Sequence, residues 1–85
     1  MNKSYTKKER EHLALIKSLP CSVCDAFPIS EAHHIRQDSA YYCIPLCVDH
    51  HRNDLLGIHG QKAGWRMKKM DEMDALAKTI EMITS

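Results

Sequence analysis

A small α+β domain stapled by a zinc ion is the fold class this 85-residue sequence predicts: a central ββα unit with a flanking N-terminal helix and a long C-terminal helix. Three observations lead there. Cys21 and Cys24 form a C-x-x-C knuckle, and Cys47 and His50 form a C-x-x-H knuckle some two dozen residues later. Knuckles so spaced let four ligands converge tetrahedrally on one zinc. Two short runs rich in aromatic and β-branched residues lie between the knuckles, as a hairpin requires. Apolar residues then recur at helical spacing to the end of the chain.

The elements follow in order. Residues 6–18 read as a helix, with Thr6 and Glu9 as a capping box and Pro20 as its stop. Leu13, Ile16 and Leu19 give it a short apolar stripe beside Lys17. Residues 20–30 carry two prolines and the first knuckle, which suits a turn around a metal. Residues 31–35 and 41–46 read as two strands joined by the polar loop Arg36–Ser39. Residues 47–55 read as a short helix that Gly57 could end. Residues 62–83 read as one long helix in which Trp65, Met70, Met73, Leu76, Ile80 and Ile83 form a core-facing stripe. One domain is the ceiling at this length, divided as an N-terminal helix over 1–19, a zinc-bound core over 20–60 and a C-terminal helix over 61–85.

A domain this small buries a limited core and often needs a metal, a disulfide or a partner to fold firmly. The opening MNKSYTKKER is polar and basic, unlike a signal peptide, and no apolar run reaches membrane-spanning length. The expected compartment is therefore a reducing cytoplasm, where paired cysteines more often hold metal than form disulfides. The net charge of +1 hides an asymmetry. Residues 1–70 carry 11 Lys/Arg against 7 Asp/Glu, whereas residues 71–85 carry 1 against 4. The basic part is compatible with a DNA partner, though an ordinary solvated surface has the same composition.

The remaining histidines form a second constellation. Adjacent His33 and His34 point to opposite sides of a strand, so they do different jobs: one can bind a metal while the other faces a substrate water. His51 follows His50 on a helix, about 100° round the axis, and can point back to His33. His59 lies in GIHG, whose glycines permit tight turning, and can close the same site. His12 is a lone histidine with no assigned role. Cys43 reads as a small buried apolar residue, with its use as zinc ligand in place of His50 left open. A neutral imidazole can take a proton from water, a divalent ion can neutralise a phosphate, and Arg36 and Arg52 beside the two His pairs can grip one.

The strings CSVC, AHHI, IPLCVDHH and GIHG, in this order, resemble the HNH (ββα-metal) endonucleases, and most nearly the phage Ref-type recombination nucleases. The resemblance covers roughly residues 19–60. It implies a metal-dependent DNA endonuclease acting in phage DNA recombination or processing, in a host cytoplasm if phage-encoded. It implies that His34 is the general base and that His33, His51 and His59 hold a catalytic Mg, Mn or Zn, His33 standing where many HNH enzymes have Asp. The product would carry a 5′ phosphate. The middle Asn of the motif is replaced here by Tyr42, so the pattern leaves the orientation of His34 unassigned. The position of a fourth ligand in colicin-like nucleases is Leu55, which cannot ligate. Ref-type proteins act with a recombinase filament, which makes such a partner an implied one, and they carry a basic N-terminal arm that here reduces to Lys3, Lys7, Lys8 and Arg10. Arg36, Arg52, Lys62, Arg66, Lys68 and Lys69 are the residues expected to hold flanking DNA phosphates, the last four competing with a reading as an ordinary solvated helix face. Two rival readings stand beside this one: a non-catalytic zinc module binding DNA or a protein partner, and an assembly protein that dimerises through its acidic C-terminal helix. A homodimer through that helix is also compatible with nuclease activity.

Overall fold

The computed structural model describes residues 4–85, so Lys3 lies outside the described residues. The order of elements is α1 (Lys7–Ser18), β1 (Glu31–His34), β2 (Cys43–Leu46), α2 (Val48–Arg52), α3 (Ala63–Lys68) and α4 (Glu72–Thr84). The class is mixed α+β, with a central strand–strand–helix unit as expected. Among the described residues no helix is long and apolar enough to cross a membrane.

The capping box of α1 forms as its sequence requires. Glu9 N–H donates to the Thr6 hydroxyl at 3.1 Å, and Thr6 N–H donates to the Glu9 carboxylate at 2.9 Å. Ile16 is its fully buried residue. Strands β1 and β2 pair antiparallel, with Glu31 opposite Leu46, Ala32 opposite Pro45, His33 opposite Ile44 and His34 opposite Cys43. Both strands are shorter than the apolar runs suggest. Beyond His34 the chain enters its turn, closed by Ile35 N–H donating to Tyr42 O at 2.8 Å. All four residues of β2 are buried. Proline offers no N–H to a ladder, but the Pro45 carbonyl still accepts from both the N–H and the hydroxyl of Ser22, each at 2.9 Å. Those bonds tie the first Cys knuckle to β2.

Two helix boundaries depart from expectation. The helix read over 47–55 ends at Arg52, because Asn53 is extended and its side chain accepts from Leu55 and Leu56 N–H instead. The helix read over 62–83 is two helices. Lys69 takes a left-handed conformation (φ 55°) that stops α3, and Asp71 opens α4 through a reciprocal cap with Asp74. The break re-aims the apolar stripe. Met73, Ile80 and Ile83, read as core, are exposed, and small Ala75 together with Thr79 faces β2 instead. The buried Thr79 hydroxyl is satisfied by Ala75 O at 2.7 Å. The core centres on Cys21, Val23, Ile44, Leu46, Trp65 and Ala75, with Met70 and Leu76 packed at its edge.

Candidate metal centres

Cys21, Cys24, Cys47 and His50 converge into one cluster. The first knuckle sits on the turn after α1. In the second, Cys47 is the N-cap of α2 and His50 lies within its only full turn. The Cys24 and Cys47 sulfurs are 3.8 Å apart, and Cys47 Sγ is 3.3 Å from His50 Nδ1. A tetrahedral ion with Zn–S bonds of about 2.3 Å would set its sulfurs about 3.8 Å apart, so the sulfur pair stands at an edge of such a site. It is also far too wide for a disulfide, and all four cysteines are free. Burial pushes the Cys21 thiol up, but N–H bonds from the backbone of Cys47, Cys24 and Val23 outweigh it and bring it below its ordinary value. Burial, with the neighbouring Cys21 and Cys24 sulfurs, drives Cys47 to about 12. One thiolate is thus welcomed and the next opposed, which is the situation a divalent cation reverses. The cluster can hold a metal such as zinc. Cys43 stands outside it, buried on β2 directly opposite His34, its thiol pushed by burial to about 11, so His50 and not Cys43 completes the set.

The His50 ring has a close neighbour that sequence reasoning did not find. A Cβ on Gly64 would come within 2.9 Å of its Cδ2 and 3.0 Å of its Nε2. The Trp65 indole N–H then donates to His50 O at 2.8 Å. The start of α3 is therefore built around the ligand.

His33, His51 and His59 form a second cluster, with ligand nitrogens all within 4.8 Å of one another. Their ring centroids make a near-regular triangle of 5.1, 4.9 and 4.9 Å, and the rings meet edge to face or tilted. His33 is 6% exposed, on the inner face of β1, and His59 is exposed. Burial thus falls from His33 through His51 to His59, so solvent reaches the cluster from the His59 side. Backbone pairing explains how His59 arrives there: Ile58 N–H donates to His50 O at 2.9 Å and His59 N–H to His51 O at 3.2 Å. The loop thereby doubles back along α2. Gly60 permits the return by close approach, since a Cβ there would meet Asp54 O at 2.3 Å. Burial lowers the His33 pKa below its ordinary value, opposed by the adjacent Glu72, so the neutral, ligating form is favoured.

Two carboxylates absent from the sequence reading contact this cluster. Glu72 Oε2 is 2.6 Å from His33 Nε2, and Glu31 Oε1 is 2.8 Å from His51 Nδ1. Glu31 carried a signal, because it lies two residues before His33 and shares its strand face. Glu72 carried none locally, since it is 39 residues from His33. Glu31 is held below the ordinary carboxylate range, chiefly by the His51 hydrogen bond and then by Arg52, whose guanidinium grips it through Nε (3.0 Å) and Nη2.

His34 lies outside the triad, on the opposite strand face, as the alternation demands. Its Nε2 is 3.1 Å from the Tyr5 hydroxyl, and the two rings stack at 6.2 Å. Tyr42 instead lies beneath the Arg36 guanidinium, 4.8 Å from ring centroid to Cζ. Arg36 also pairs with Asp38 at 2.6 Å. Arg52 is likewise paired, with Glu31. Lys62, Arg66, Lys68 and Lys69 are exposed, and Lys62 and Arg66 line a cavity of about 270 Å³ that reaches Glu72. Leu55 is exposed and ligates nothing. No protein-family model, curated protein or solved structure matches this chain.

Proposed function

We propose that the chain is a metal-dependent DNA endonuclease of the HNH type, built on a ββα-metal core with a structural zinc. The observation that carries this reading is the three-histidine cluster with an open side, next to a fourth histidine on the opposite face of the same strand. The exposure of His59 leaves one side of the cluster within reach of solvent, which a site built only for folding does not need. Cys21, Cys24, Cys47 and His50 would hold the zinc, and His33, His51 and His59 a divalent ion such as Mg, Mn or Zn. Three neutral imidazoles favour a borderline metal over Mg.

When bound, that ion would supply charge neutralisation at the scissile phosphate and at the leaving 3′ oxygen. His34 is the group that accepts a proton from the attacking water, and a neutral imidazole does so at physiological pH. Burial of His33 keeps bulk water from one side of the centre. Lys62, Arg66, Lys68 and Lys69 offer exposed cations to the DNA backbone, where phosphate contacts dominate affinity, although Arg66 already donates to Gln61 O. Arg36 and Arg52 would first have to share or leave their carboxylate partners. The exposed Met73, Ile80 and Ile83 side of α4 is the face on which a second copy would dock.

Nicking of supercoiled plasmid by the purified protein with Mg, Mn, Zn or Ni, beside His34→Ala, tests the reading. Metal-dependent nicking that drops about 100-fold or more in the variant is the expected result. Nicking that survives unchanged in His34→Ala removes the proposed base. A folded, zinc-loaded wild type inert with every metal favours a binding module.

A further inference from the structure

We infer that Glu72 and Glu31 are positioning residues that fix which ring nitrogen His33 and His51 present to a cation. The inference rests on the reading of His33, His51 and His59 as a metal centre.

An ionised carboxylate can only accept hydrogen bonds, so the nitrogen facing it must carry the proton. Glu72 Oε2 stands 2.6 Å from His33 Nε2, which makes His33 an Nε2–H donor and leaves the Nδ1 lone pair for a metal. Glu31 Oε1 stands 2.8 Å from His51 Nδ1, which leaves Nε2 of that ring. The two ligands are thus set in opposite tautomers. Glu72 lies outside the set of groups whose ligand atoms are mutually within 4.8 Å, so it acts behind His33 and not as a further ligand. Outer carboxylates of this kind orient the ring and raise its basicity toward the metal.

The two come from different places. Glu31 shares the inner face of β1 with His33 and is itself held by Arg52. Glu72 is the first residue of α4, immediately after the Asp71 cap. Helix α4 therefore completes a centre whose three ligands all lie before residue 60, and Arg52 steadies the metal centre through Glu31 before it serves any phosphate.

Nickel titration of the zinc-loaded full chain by calorimetry, with Glu72→Ala and Glu72→Gln, tests this. Glu72→Ala is expected to weaken binding of the second metal equivalent by about 10–100-fold. Circular dichroism and the zinc content of the Cys21–Cys24–Cys47–His50 site should stay unchanged. Glu72→Gln keeps an acceptor oxygen and should lose only a small part of that affinity. Imidazole nitrogen NMR before nickel addition should show His33 protonated at Nε2 and His51 at Nδ1, with the His33 preference lost in Glu72→Ala. Unaltered nickel affinity in Glu72→Ala, or a His33 proton on Nδ1 in wild type, overturns the inference alone. A wild type that takes up no second equivalent removes the metal centre itself.

Discussion

The finest control in this molecule is exerted by single side chains on single rings. Gly64 is the clearest case. Its missing Cβ leaves the space that the His50 ring fills, at 2.9–3.0 Å from where that Cβ would stand. Gly64→Ala should displace the His50 ring, a candidate zinc ligand, and cost about 1–3 kcal/mol, as overpacking does. Thermal melts and chelator titration check this: the metal-loaded variant should melt lower than wild type and release its zinc at a lower chelator concentration. His34 shows a different kind of control. Tyr42 turns toward Arg36, and Tyr5 from the start of the chain meets the His34 ring. No local spacing could have shown this, because residues 5 and 34 are joined only by the packing of α1 against the hairpin.

At the scale of elements, the junction between α3 and α4 decides where Glu72 and the apolar face of α4 point. Lys69 adopts φ 55° there, a conformation that costs a non-glycine L-residue about 1 kcal/mol. Lys69→Gly should therefore raise stability by roughly 0.5–1 kcal/mol in urea unfolding. In an unbroken helix the same change would lower stability by about 1 kcal/mol, so the sign of the result distinguishes the two architectures. Periodicity over 62–83 could not reveal the break, because the apolar spacing runs through it undisturbed. The signal was Asp71 with Asp74, a cap that charge reading alone takes for an acidic surface. The hairpin and α1 were far more legible. Thr6 and Glu9 form the box their spacing requires, and the strand alternation separates His33 from His34 onto two faces. The cysteine knuckles were legible for the same reason: metal ligands on tight turns must sit close in sequence, whereas Glu72 reaches His33 only through the whole fold.

For the molecule as a whole, an ion held at the cysteine cluster would be part of the core. Cys21, Cys24 and Cys47 belong to the same packed cluster as Ile44, Leu46 and Trp65. A chain of 85 residues has little else to hold it. Chelation should unfold it cooperatively, with loss of helical circular dichroism and of Trp65 burial together. Acid should act in the same direction. Burial lowers the pKa of His12, His33 and His50 below 6.5 in the folded chain. The unfolded chain therefore binds more protons as pH falls past 6.5, and the stability these groups lend is present above that value and lost on acidification through their folded pKa values. Melting temperature of the zinc-loaded protein should fall between about pH 7 and pH 5, where protons also compete with the metal for His50.

His50 and His51 are consecutive residues on α2, yet each belongs to a different cluster. A single peptide bond joins the residues that enter the two clusters, and the loop carrying His59 hangs from the carbonyls of both. An ion on the first cluster would freeze the helical turn that aims His51 and anchors His59, so a second ion would meet rings whose orientational entropy is already spent. On the proposed reading the sites would fill in sequence, the sulfur site first. Thermodynamic linkage makes the benefit mutual: whatever factor the first ion adds to the affinity of the second, the second returns to the first.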